Sequence, residues 1–166
     1  DDTVNFQVYG NMEPQKAATE AVRETEGQIL CQNGEAVEAY YFSTSAGVTS
    51  TDEIWGSDEA APYLRSVPCK FDEEEPWSSW IVELPWKMLE DRIREKGEGT
   101  VLRSVTVTRR SESGAATALE AVSDKDSCII ENEYEIRKFL APVNCMITEK
   151  DGTETAGGSL LPSAYF

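Results

Sequence analysis

The sequence predicts an α+β domain, on three observations. Two pairs of strand-like segments are joined by turn signals, Asn33-Gly34 in one case and residues 111–114 in the other. Three separate short segments carry helical rather than alternating spacing of their apolar residues. Glycine or proline stands just beyond each of those three segments, as expected where helices stop. With 166 residues and 40% hydrophobic content the chain can bury one sizeable core, so a single domain with antiparallel hairpins and three short helices is expected.

Taken in order, residues 14–25 place Ala17, Ala21 and Val22 on one face with Gly27 just beyond, which predicts a short helix. Residues 28–32 and 35–42 flank Asn33-Gly34 and predict a hairpin, since Val37, Ala39 and Tyr41 alternate with Glu38, Tyr40 and Phe42. Residues 43–51 then form a loop at a strand end, and 62–67 is extended. The acidic run 72–75 is expected to be exposed. Residues 80–84 alternate as a strand, and Pro85 can begin a helix over 86–96 in which Met88, Leu89 and Ile93 share a face. Gly97 and Gly99 end it.

A second hairpin is predicted from 101–108 and 116–122. Residues 133–140 read as a helix, with acidic residues first and Arg137 and Lys138 late, favourable for the helix dipole, and Pro142 stops it. A strand over 144–148, a turn at Asp151-Gly152 and a Gly-Gly-Ser segment lead to the final L-P-S-A-Y-F. There is no internal repeat, heptad pattern or low-complexity tract.

Composition narrows the function. Fifteen basic against thirty-one acidic residues give a net charge of −16, which sets nucleic acid aside, because phosphate-backbone affinity comes from Lys and Arg. The same charge opposes adhesion to anionic lipid. The run 72–75 lacks the Asp/Asn/Gly pattern of a calcium loop and reads as a solvated face. No histidine is present and the four cysteines, at 31, 69, 128 and 145, show no C-x-x-C spacing, so no zinc, other metal or cofactor is expected. The even cysteine number suits an oxidising exterior, but buried thiols are an equally open reading. No stretch of eighteen apolar residues occurs in the sequence.

The segment A-Y-Y-F-S-T-S-A-G-V-T-S-T-D-E-I-W-G, residues 39–56, carries the chemistry. Ser43, Thr44, Ser45, Thr49 and Ser50 surround Gly47, offering uncharged donors and acceptors beside an accessible backbone, and Trp55 follows. That combination suits a sugar, with Trp55 able to stack on a ring. An ordinary solvated loop and a core tryptophan are the plainer alternative.

The same segment, continued by P-Y-L-R-S-V at 62–67, resembles the signature of the stage II sporulation protein D family, which includes the amidase enhancers. Four further pieces agree in order: Q-V-Y-G at 7–10, A-V-R-E-T-E-G-Q-I-L at 21–30, E-Y-E-I-R-K-F-L at 133–140 and L-P-S-A-Y-F at 161–166. The resemblance implies a peptidoglycan lytic transglycosylase domain acting outside the membrane in sporulation or engulfment. Its partners would be peptidoglycan glycan strands and other sporulation cell-wall hydrolases, with a membrane anchor or secretion upstream. In such enzymes a single carboxylic acid protonates the glycosidic oxygen, then removes the proton from muramic acid's own hydroxyl to close an anhydro ring. An ordinary glycosidase uses two carboxylates instead. The acid needs a partly apolar pocket that keeps it protonated near neutral pH.

Carried over by position, the resemblance gives Gln7, Tyr9, Ser43, Thr44, Ser45, Thr49 and Trp55 substrate-binding roles. It gives no catalytic residue. The family's glutamate belongs to a helix of the type E-Y-L-x-G-V-V-x-x-E-M upstream of Q-V-Y-G, and its G-H-G-x-G-M-S-Q segment follows L-P-S-A-Y-F. Residues 1–166 are therefore expected to be the central part of a larger domain, inactive alone. Glu53 is a conceivable surrogate acid, though capping or solvation is the simpler role. Some relatives carry zinc ligands in the form F-H-S-T-C-G-G-x-T, but residues 41–47 here read Y-F-S-T-S-A-G and have lost them. Three classes stay open: a cell-wall-cleaving domain, a non-catalytic glycan-binding or amidase-activating module, and an interaction domain.

Overall fold

The structure is a computed structural model that describes residues 13–49 and 61–166. It is α+β, and the described residues form three helices and eight strands in three antiparallel sheets. The chain divides into two compact units with the boundary between Tyr41 and Phe42.

In the first unit, α1 spans Lys16–Glu24 and β1 (Cys31–Gln32) pairs with β2 (Glu35–Ala36). Asn33 and Gly34, with φ of 53° and 86°, form the left-handed turn that joins them. The hairpin is much shorter than expected. Beyond Ala36 the Val37 N–H still reaches Leu30 O, but residues 37–42 belong to no strand, and Tyr40, Tyr41 and Phe42 are exposed. Their alternation offered an apolar face, and no neighbouring strand takes it. The apolar face expected of α1 is likewise not buried: no residue of that helix is.

The second unit holds the core. Its central element is β5 (Ala116–Ser123), flanked by β4 (Leu102–Arg110) and β6 (Ser127–Glu131). Because β5 has partners on both edges and cover on both faces, Ala116, Ala118, Leu119 and Ala121 are all buried. Helix α2 (Trp86–Glu95) packs on β4 through Leu89 and Ile93, and α3 (Glu133–Phe139) packs on β5 and β6 through Ile136 and Phe139. The Asn132 side chain caps α3 by accepting the Glu135 N–H at 2.9 Å, and Arg137 binds Glu133 one turn back at 2.8 Å. Arg137 Nε also donates to Leu161 O, and the Ala116 N–H donates to Ala164 O, so the closing L-P-S-A-Y-F is bound into the core.

The third sheet orders β3 (Trp80–Val82), β7 (Met146–Glu149) and β8 (Glu154–Ala156). Sequence reasoning missed β6 and β8, both short and held by pairing rather than by pattern. It also began β7 two residues early, because Asn144 adopts φ 61° and turns the chain there. The four cysteines are free thiols. Among the described residues no helix is long and apolar enough to cross a membrane.

Candidate functional site

The hydroxyl-rich loop is held by two sets of bonds within the second unit. Val48 bridges to Pro68 in antiparallel fashion, the Thr49 N–H donates to Val67 O, and the Cys69 N–H donates to Gly47 O, each at 2.9 Å. The Thr49 hydroxyl accepts the Val67 N–H at 2.9 Å, and Ser66 Oγ donates to Thr49 O at 2.7 Å. The other set is Asp72, whose carboxylate accepts the Ser45 N–H at 2.8 Å. That backbone bond is the main reason the Asp72 carboxyl sits below the usual carboxylate range, helped by the nearby Ser45 hydroxyl and Cys69 thiol. Gly47, at φ +86°, provides the bend between the two sets.

This places Ser45, Ala46 and Gly47 along one wall of an open cleft of about 440 Å³. The other lining residues are Glu73, Glu74, Ser78, Ser79 and Lys150. A single 3-10 turn, Pro76–Ser78, carries the far wall, and the Lys150 N–H donates to Pro76 O, tying the wall to the end of β7. The Lys150 ammonium donates to Glu73 O and stands 3.5 Å from the Glu74 carboxylate. Ser78 Oγ donates to Glu73 O at 2.9 Å.

One atom stands out. Ser45 is only 6% exposed, and its Oγ is buried with no hydrogen-bond partner among the described residues. Its neighbour is the Asp72 carboxylate, which the Ser45 hydroxyl approaches closely enough to help hold below its usual range, so an acceptor stands beside the hydroxyl even though no full hydrogen bond is formed. A buried hydroxyl left without a full hydrogen bond costs about 1–3 kcal/mol relative to a paired one.

Of the residues assigned by sequence, the structure brings Ser45 to the cleft. Ser43 and Thr44 are not among its lining, and the Thr49 hydroxyl is engaged with backbone, where it fastens the loop. Gln7, Tyr9 and Trp55, with Ser50 and Glu53, lie outside the described residues. Sequence reasoning missed Glu73, Glu74, Ser78, Ser79 and Lys150 as site residues. Residues 72–75 were legible as an acidic run, but nothing local showed that the run faces Ser45. Among the described residues no group of three or more His, Cys, Asp or Glu side chains is placed to hold a metal.

The arrangement is that of a polar binding cleft: neutral hydroxyls and glycine on one side, two carboxylates and an ammonium on the other, carried by a sheet scaffold. Comparison with known proteins points to one family. The chain is 34% identical over 92 residues to a Bacillus subtilis (strain 168) protein named Amidase enhancer, covering 55% of this chain and 12% of that one. It is 39% identical over 88 residues to the B. subtilis Stage II sporulation protein D, and 36% identical over 88 residues to the protein of that name from Bacillus amyloliquefaciens. Each of these covers 46% of this chain and 25% of the relative. Over about half of its length the chain is thus similar to proteins named Stage II sporulation protein D and Amidase enhancer, and it spans an eighth to a quarter of those relatives' own length. No family model matches the chain. No solved structure matches it either.

Proposed function

We propose that this chain contributes a peptidoglycan-binding surface to a protein of cell-wall processing, in sporulation or in amidase enhancement, outside the cytoplasmic membrane. The observation that carries the reading is that the loop resembling the family's signature lines an open cleft through Ser45, Ala46 and Gly47. A glycan strand offers a dense row of hydroxyl and amide groups, which suits a cleft lined by backbone and small polar side chains. The Ser45 to Gly47 wall is one side of the groove. In the whole protein the cut is a lytic transglycosylation, with the single acid supplied by a residue that none of these positions matches. Other sporulation cell-wall hydrolases are the fitting partners.

A second reading is a module that binds the wall or activates an amidase without cutting, favoured by the similarity to a protein named Amidase enhancer. Incubation with purified peptidoglycan separates these outcomes. The chain is expected to sediment with the insoluble wall and to release no anhydro-muropeptides. Absence of sedimentation removes the binding reading, and release of anhydro-muropeptides would show that a residue within 1–166 serves as the acid.

A further inference from the structure

The sheet of β3, β7 and β8 buries one face and leaves the other open. Trp80 and Val82 of β3 pair with Glu149 and Ile147 of β7, and these four side chains turn inward: Ile147 and Glu149 are buried, and Trp80 and Val82 pack on the core. Alternation sends Ile81, Met146 and Thr148 to the other face, where Glu154 and Ala156 of β8, the register partners of Thr148 and Met146, join them. Ile81 is 69% exposed and Met146 50%. They are diagonal neighbours on adjacent strands, about 7–8 Å apart, and with Ala156 and the Thr148 methyl they make a continuous apolar strip. Single apolar side chains on a surface are ordinary, but a strip across three paired strands is a place where a partner gains by covering it. At its ends stand Glu83, two residues beyond Ile81, and Glu154, both exposed and neither within ion-pair distance of a cation among the described residues. None of these residues lines the cleft.

Charge decides what covers the strip. A second copy of the chain brings another −16, and an anionic lipid surface is repelled in the same way, whereas a cationic partner is attracted. We infer that this face docks an amphipathic helix of a basic partner protein, with the helix's apolar stripe on Ile81 and Met146 and its Lys or Arg residues on Glu83 and Glu154. Three strands about 4.8 Å apart, each three or four residues long, give room for about two turns of helix. So small an interface belongs to the transient class, and its charged ends set orientation and encounter rate more than strength.

The test is titration of the 166-residue chain with a two-heptad peptide of leucine and lysine in helical spacing, read by calorimetry and by NMR chemical shifts. Its controls are a scrambled peptide of the same composition and one with glutamate in place of lysine. The helical cationic peptide is expected to bind at least tenfold more tightly than either control, with shifts centred on residues 81, 146, 148 and 156. Ile81→Thr with Met146→Thr should weaken it about tenfold and leave the urea midpoint in place, because both side chains are already exposed and threonine suits a strand. Glu83→Gln with Glu154→Gln should weaken it severalfold, less so at high salt, while Glu24→Gln with Glu26→Gln, an equal change of charge elsewhere, should leave it within about twofold. Equal binding of the scrambled peptide overturns the inference, since it marks bulk charge alone. Tighter binding of the glutamate peptide, or shifts centred away from this face, overturns it as well, and the shift map decides even if the threonine pair lowers the midpoint. A dimer in sedimentation that the threonine pair makes monomeric places a second copy on the face instead. Capture by phosphatidylglycerol vesicles that the same pair abolishes places a lipid surface there, and either result also overturns the inference.

Discussion

Ser45→Ala makes the most pointed test of the loop, because it reads whether a fully covered hydroxyl is paired in the folded protein. The substitution removes one oxygen whose surface is fully covered and which has no hydrogen-bond partner among the described residues. An unsatisfied buried hydroxyl costs about 1–3 kcal/mol, and alanine fills nearly the same space, so the unfolding free energy should rise by about 1 kcal/mol. That is about a fivefold change in the folding equilibrium. The Ser45 N–H to Asp72 bond of 2.8 Å is made by the backbone and survives the change, so the loop keeps its place. Urea unfolding followed by tryptophan fluorescence reads the result as a higher midpoint with an unchanged slope. An unfolding free energy lowered by about 1 kcal/mol or more would show that the hydroxyl is bonded in the folded protein. The reading of that oxygen as unpaired would then collapse.

Asp72→Ala strips the acceptor from the Ser45 N–H and should loosen residues 43–47, seen as faster amide exchange there with the sheets unaffected; unchanged exchange would mean that the bridge to residues 65–69 suffices. Acid should destabilise the fold in a defined direction. Asp72, Asp124 and Asp151 all have carboxyls held below their ordinary value of 3.8 by hydrogen bonds, those to Asp124 coming first from the Val101 and Thr100 N–H groups. A depressed folded pKa gives stability that is present above the unfolded value and lost as pH falls through the folded one, so thermal midpoints should drop from about pH 5 downward. Asp124→Asn should flatten part of that decline, and midpoints that stay level to about pH 2.5 would contradict it. Ile93→Ala, at a fully buried core position, should cost about 2–5 kcal/mol in urea unfolding, and a loss under about 1 kcal/mol would place α2 outside the core. Gly157→Ala should cost about 1–3 kcal/mol, because its Cβ would stand 2.2 Å from Pro142 O; a neutral result would mean that the β8 end can move aside.

Much of the architecture was legible in the sequence, because the signals were local. Asn33-Gly34 named its turn, the spacing of Leu89 and Ile93 named the buried face of α2, and alternation over 101–108 and 116–122 named the long hairpin, all of which the structure contains. The strand expected over residues 35–42 shows the limit. Alternation there promised a buried face, but burial needs a partner, and the described chain supplies pairing only as far as Ala36. The converse holds for β6 and β8, whose patterns are weak and whose order comes from the ladders of β5 and β7.

By itself the sequence determined the α+β class, the acidic character that sets nucleic acid aside, the loop of neutral hydroxyls and the family resemblance, since each depends on residue type or on neighbours a few positions away. Only the tertiary structure decided which hydroxyl matters. Thr49 and Ser45 are chemically alike in the sequence, yet one is engaged with Val67 and the other is left without a partner in the wall of a cleft. It also brought Glu74 and Lys150, 76 positions apart, to within 3.5 Å of one another opposite that wall. Their meeting depends on how β7 returns beside β3 and on the bond from Lys150 to Pro76, contacts between segments too distant in sequence for local pattern to encode.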